Sequence, residues 1–226
     1  MKEPLSPNAG HRARLRRRFL SQGLGALHEH EALELLLTFA IPRRDVKGLA
    51  KELILKFGSF AGVLDASEYD LSAFPGIGEN AASLILLVKA AGALYLEQHL
   101  REAPLLNSLS ACADFARMKL GTGAKESMLV LFMNRRYRLL DYCRIPGTVD
   151  RAAVYPREVL EGCLRHKATA VLLAHNHPSG VCTPSNEDLR LTLVIRDLLK
   201  GANIELVDHL LVTPFDWTSM KERQWI

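Results

Sequence analysis

The chain has 226 residues, 48% of them hydrophobic and 24% charged, with mean hydropathy near zero, enough length for one large or two modest globular domains. Its net charge of +4 divides into 13 basic against 12 acidic residues over 1–105 and 16 against 13 over 106–226, so neither half implies nucleic acid by charge alone. No apolar run approaches the roughly 18 residues of a membrane span. The N-terminus also lacks the basic-then-apolar order of a signal peptide, and a cytoplasmic location without membrane contact is expected. Cys112, Cys143, Cys163 and Cys182 are scattered with no CxxC pair, which reads as free thiols in a reducing compartment.

In chain order, residues 1–11 read as a flexible lead-in with two prolines. Arg12, Arg14, Arg16, Arg17 and Arg18 with His11 follow, a run that reads equally as a phosphate-holding patch and as a solvated helix face. From 12 to 100 the pattern is helical: Glu31 to Ala40, Val46 to Phe57 with Gly58 as its C-cap, then short pieces at 60–65 and 68–74. Phe74-Pro75-Gly76-Ile77-Gly78-Glu79-Asn80 opens a long Ala- and Leu-rich helix to about His99. The turn Gly76, Ile77, Gly78 resembles the hairpin of a helix-hairpin-helix motif, where backbone N–H groups meet a DNA phosphate. The other reading is an inter-helix turn with Ile77 in the core. Glu79 is acidic and no cationic side chain adjoins the hairpin in sequence, both of which weaken DNA contact.

Residues 101–108 break the helical pattern and read as a linker. Beyond it, over 109–226, a helix at 109–120 leads to strands at 126–134 and 137–145. A helix at 156–166, a strand at 169–175, a helix from Ser185 to Lys200 and a last strand from Ile204 to Thr213 complete the chain. Such alternation describes an α/β or α+β sandwich around one sheet. Pro156 and Glu158 suit a helix start on structural grounds alone.

The chemistry concentrates at Ala174-His175-Asn176-His177-Pro178-Ser179-Gly180, continued through Pro184-Ser185-Asn186-Glu187-Asp188. In a strand, residues i and i+2 share a face, so His175 and His177 aim two imidazoles at one point, while Asn176 points the other way. Asp188 falls in the first turn of the next helix, facing back towards them. Ser-x-x-Asp is also a capping-box arrangement. Two imidazoles and one carboxylate make up a zinc site that keeps a position for water; Cys182, in the same loop, is a lesser candidate ligand.

His-x-His, seven residues, Ser, two residues and Asp match the JAMM (MPN+) metalloprotease motif at each position, and the string His-Asn-His-Pro-Ser-Gly…Pro-Ser-x-x-Asp resembles the RadC family. That resemblance covers nearly the whole chain. It implies a helix-hairpin-helix-like all-α domain followed by an MPN (JAMM) α/β sandwich, with one zinc per chain on His175, His177 and Asp188. It also implies Glu126 as general base at the head of a strand, and Ser185 as donor to the oxyanion. Asp208-His209 closes the last strand, as a partner for a ligand imidazole or as a surface salt bridge or turn. Three functions are compatible with these residues: a zinc-dependent amide or isopeptide hydrolase with a peptide or protein substrate, a metal-dependent DNA-processing enzyme, and a non-enzymatic DNA-associated protein. Phosphodiester chemistry more often uses two metals with bridging carboxylates, so a single site suits carbonyl chemistry better.

Overall fold

The computed structural model describes residues 9–102, 109–121, 125–147, 155–214 and 216–226. The first eight residues of the expected lead-in and residues 103–108 of the expected linker lie outside them. Two compact units divide between Ala90 and Ala91.

The first unit is helical: α1 (Ala9–Gln22), α2 (Glu29–Ala40), α3 (Lys47–Phe57), α4 (Phe60–Asp65), α5 (Glu68–Ser72) and the first half of α6 (Glu79–Glu102). Residues 9–11, expected in the lead-in, already belong to α1, where His11 reaches the buried Glu34 of α2 at 2.9 Å. Leu33, Leu37, Val46, Leu53, Leu71, Ile77 and Ile85 form one core, gathered from stripes at helical spacing. Gly58 ends α3 with φ 84°. Helix α6 continues to Glu102 where the expected linker began at 101. It is also long and apolar enough, by length and composition only, to cross a membrane. The apolar-run reading is unaffected, because alanine-rich turns around a single lysine raise the average without an unbroken run. Core helices of water-soluble folds pass the same test, and Ala81, Ala82 and Ile85 are buried within the first unit.

In the second unit the elements are α7 (Leu109–Leu120), β1 (Ser127–Met133), β2 (Leu139–Pro146), α8 (Pro156–His166), β3 (Ala170–Asn176), α9 (Asn186–Gly201), β4 (Glu205–Val212) and β5 (Trp217–Ser219). The β1–β2 turn is longer than expected because Asn134 Oδ1 accepts from the backbone N–H of both Arg136 and Arg138, with Tyr137 at φ 55°. Among the described residues the sheet order is β2-β1-β3-β4-β5. Only β3 and β4 run parallel, joined through α9; the other pairs are antiparallel. β1 and β3 are buried at every position, as a sheet covered on both faces requires. Leu129, Leu131, Leu172 and Ala174 meet α7 on one face. Met128, Val130, Phe132, Val171 and Leu173 meet Val159 and Cys163 of α8 and Ile195 and Leu199 of α9 on the other. The result is an α/β sandwich preceded by a helical region.

The sheet is irregular between its two parallel strands. The β3–β4 register shifts between Val171 and Leu172, which pair with Leu206 and Asp208, leaving Val207 as the extra residue of a bulge. A one-residue slip exchanges the faces of every later side chain. His209, opposite Leu173, therefore lies on the α8–α9 face.

Candidate metal centre

β3 carries His175 and His177 to its carboxyl end on the α8–α9 face, where α9 begins. His175 is 1% exposed and His177 7%. Their Nε2 atoms lie 2.8 Å apart, with Asp188 Oδ1 3.5 Å from His175 Nε2 and Oδ2 3.7 Å from His177 Nε2. Among the described residues these three form a group whose ligand atoms lie within 4.8 Å of one another. Cys182 is not in it; its Sγ turns to the Leu211 carbonyl at 3.5 Å.

Hydrogen bonding determines which nitrogen of each ring faces the site. His177 Nδ1 lies 2.7 Å from the Val181 carbonyl, which only accepts, so Nδ1 carries the proton and Nε2 the lone pair. Gly180 makes this possible: with φ 78° it takes the left-handed bend that returns Val181 to the ring. His175 Nδ1 lies 2.8 Å from Nε2 of His209, which is fully buried. Burial first, then the charge of His175, holds His209 well below the usual histidine range.

Ser185 and Asp188 form a full capping box. Asp188 N–H donates to Ser185 Oγ at 3.1 Å, while Ser185 N–H and Oγ–H both donate to Asp188 Oδ2, at 2.8 and 2.6 Å. The capping box anchors Oδ2, which lies near His177, and leaves Oδ1 facing His175, so capping does not compete with the site reading of Ser-x-x-Asp. Burial raises Asp188, but the adjoining His175 and His177 imidazoles outweigh it and hold the carboxyl far below its usual range. For His177, burial works downward and Asp188 and the Val181 carbonyl prevail, raising it.

These residues fit a zinc ion. Buried Nε2 atoms with their Nδ1 protons engaged elsewhere repel at 2.8 Å unless a cation lies between them, and the carboxylate supplies opposite charge. A zinc ion bound at about 2.0–2.1 Å from each nitrogen would ask for a separation only a little wider than the 2.8 Å seen between them, which small ring movements would supply.

Glu126 immediately precedes β1, and Gly147 N–H donates to its carbonyl at 2.9 Å. Met128 pairs with His175, so alternation assigns Glu126 to the histidine face, and its charge is among those raising His177. Asn176 points to the opposite face, as its place between the histidines predicts. Its Oδ1 accepts from Ser127 N–H at 2.7 Å and its Nδ2 donates to the Lys125 carbonyl at 3.2 Å, clasping both neighbours of Glu126. Asp208 and His209 are buried in the middle of β4 rather than at the close of the strand, which overturns the surface reading of the pair. Asp208 accepts from Ser219 Oγ at 2.5 Å, His209 N at 2.7 Å and Lys221 N at 3.1 Å. Thr192, on α9, was not singled out by its sequence, yet its hydroxyl lies 2.7 Å from His209 Nδ1; a threonine inside an apolar helical stripe gives no signal of that kind.

In the helical unit, Gly76 adopts φ 92° and Ile77 is 6% exposed within the core. The hairpin does have a cation beside it. Arg44 Nη2 lies 3.2 Å from where a Gly76 Cβ would sit, brought from 32 residues away by the α2–α3 connection. Lys89 instead pairs with Asp65 at 2.6 Å.

Residues 106–225 match the family of the RadC-like JAB domain, and residues 8–83 the UPF0758 N-terminal family. A UPF0758 protein of Burkholderia mallei strain SAVP1 is 38% identical over 212 residues, covering 93% of this chain and 76% of that protein. Others are 37% identical in Burkholderia thailandensis, over 93% and 81%, and 36% in Burkholderia cenocepacia strain HI2424, over 94% and 83%. The chain belongs to the RadC family. JAB domains as a family are associated with metallohydrolases and typically bind zinc, in keeping with the donor set at the end of β3.

Proposed function

We propose that this RadC-family chain is a zinc-dependent hydrolase of amide or isopeptide bonds. The observation that carries this reading is the convergence of two Nε2 lone pairs and the Asp188 carboxylate, with Glu126 on the same face of the sheet. Zinc held by three protein ligands acidifies water and polarises a carbonyl. The chain's own residues do the rest. His175, His177 and Asp188 hold the ion. Glu126, off the metal and steadied by the Asn176 clasp, takes a proton from water and passes it to the leaving amine. Ser185 is exposed at the mouth of the site. Its hydroxyl turns from Asp188 Oδ2 to the carbonyl oxygen of a substrate, the kind of donor whose loss costs about 10²–10³ in rate.

Metal analysis of the purified protein with its His175→Ala and Glu126→Gln variants tests the reading. One zinc per chain is expected in the parent, none in His175→Ala and a full complement in Glu126→Gln, with peptide or isopeptide cleavage in the parent alone. No zinc in parent protein prepared without chelator overturns it.

A second reading, a DNA-associated role, is favoured by one observation in the helical unit. Arg12 on α1 donates to the carbonyls of Ile41, Pro42 and Arg44, joining the α1 arginines to the segment carrying Arg43, Arg44, Lys47 and Lys51, with Arg44 at the glycine turn. Exposed Arg14, Arg17, Arg43, Arg44 and Lys47 suit the sequence-independent phosphate contacts of duplex DNA. Binding to a random duplex that weakens steeply with salt, and falls in Arg43→Ala/Arg44→Ala, is expected; salt-insensitive or absent binding removes this reading.

A further inference from the structure

Thr192 and His209 belong to neither the metal ligands nor the proposed proton carrier, yet both are fully buried behind His175. Thr192 Oγ1 has one proton and three polar neighbours: the Asp188 carbonyl at 2.6 Å, His209 Nδ1 at 2.7 Å and Met220 Sδ at 3.7 Å. The thioether is distant and a weak acceptor. A proton turned to His209 would leave two bare oxygens 2.6 Å apart, since a carbonyl has nothing to donate. The hydroxyl therefore donates to Asp188 and accepts from His209 Nδ1–H. A neutral His209 then has its lone pair on Nε2, which accepts from His175 Nδ1–H at 2.8 Å. His175 is left with its Nε2 lone pair facing the site.

We propose that Thr192 and His209 are positioning residues that fix the tautomer and ring orientation of His175, through a hydrogen-bonded relay running from the Asp188 carbonyl to the His175 ring. The relay rests on the zinc reading for its purpose. It begins and ends on the same pair of ligands: the Asp188 backbone sets the direction of the Thr192 hydroxyl, and the relay returns to present His175 opposite the Asp188 side chain. A ligand imidazole most often donates to a carboxylate or a backbone carbonyl. A neutral histidine can donate or accept at either nitrogen, so here the threonine decides the direction. The β4 bulge makes it possible by turning His209, rather than Asp208, onto this face.

Two measurements on the full-length chain test the relay. Long-range ¹H–¹⁵N correlation spectra of the parent report which ring nitrogen of His209 is protonated. The relay requires the neutral Nδ1–H form, with Nε2 bare, in zinc-free and zinc-loaded protein alike. A proton on His209 Nε2 overturns it, and this result stands even if the parent takes up no zinc and the hydrolase reading falls. Zinc affinity by competition with a chromogenic chelator is the second. Thr192→Val is expected to weaken binding about 10–100-fold, still reaching one zinc at saturation, and Thr192→Ser, which keeps the hydroxyl, to bind like the parent. Parent-like affinity in a folded Thr192→Val variant also overturns the proposal.

Discussion

Asn176 Oδ1 accepts the Ser127 N–H at 2.7 Å, so the residue between the two histidines fixes the strand end that carries Glu126. Asn176→Ala leaves the buried Ser127 N–H without that partner, a cost of about 1–3 kcal/mol. Zinc content close to the parent is expected, with hydrolytic activity lowered as Glu126 loses its anchor. Denaturant melts and metal analysis check both halves; loss of zinc would instead tie Asn176 to the ligands.

Gly180 is open around its Cβ position but sits at φ 78°, so Gly180→Ala meets strain without a clash. A destabilisation of about 1–2 kcal/mol is expected. Weaker zinc binding is expected alongside, because the Val181 carbonyl no longer holds His177 Nδ1 at 2.7 Å. Chelator competition beside a thermal melt reads the two effects.

Gly162 on α8 lies against the fully buried Phe132 ring of β1. A Cβ there would meet Phe132 Cζ at 2.4 Å, and the ring has the close-packed α8–β1 layer around it. Gly162→Ala is expected to lower stability by about 1–3 kcal/mol through overpacking, with ring and helix moving apart. A melting temperature at or above the parent's would show that the layer yields.

In the helical unit the Arg18 guanidinium holds Glu31 down at about 2, against an ordinary 4.5. A carboxyl depressed in the folded state stabilises it above the unfolded value and loses that contribution as pH falls through the folded one. The α1–α2 contact is therefore expected to weaken between about pH 4.5 and 2, and Arg18→Met to flatten that part of the stability curve. Urea midpoints taken across the range check this.

Much of the site was legible because it is local. Two histidines on one face of a short apolar run, a glycine-containing loop and Ser185 at a helix start are statements about neighbouring residues, and local geometry decides them. Glu126 could be tied to the site only through the resemblance, since pairing across β1 and β3 is not written in either strand alone. Three residues of β5 are too few to show alternation. Arg44 reaches Gly76 across 32 residues, and Thr192 reaches His209 across 17. Neither distance leaves a periodic trace. The face of His209 was hidden for another reason: strict alternation from Leu206 sends Asp208 to the histidine side, and only the extra residue reverses it.

That extra residue makes the parity of β4 a functional quantity. Deleting Val207 would leave Leu206 opposite Val171 and Asp208 opposite Leu172, so that regular alternation keeps His209 behind His175. A slip that instead draws Val207 into regular pairing would exchange the buried imidazole for a buried carboxylate and unseat the C-terminal segment that Asp208 holds through Ser219 and Lys221. Substitution at Val207 asks only for an apolar side chain of similar size. Deletion of Val207 should accordingly spare the contact between His209 and His175, which substitution of His209 itself removes, a contrast that a variant library covering β4 would expose directly.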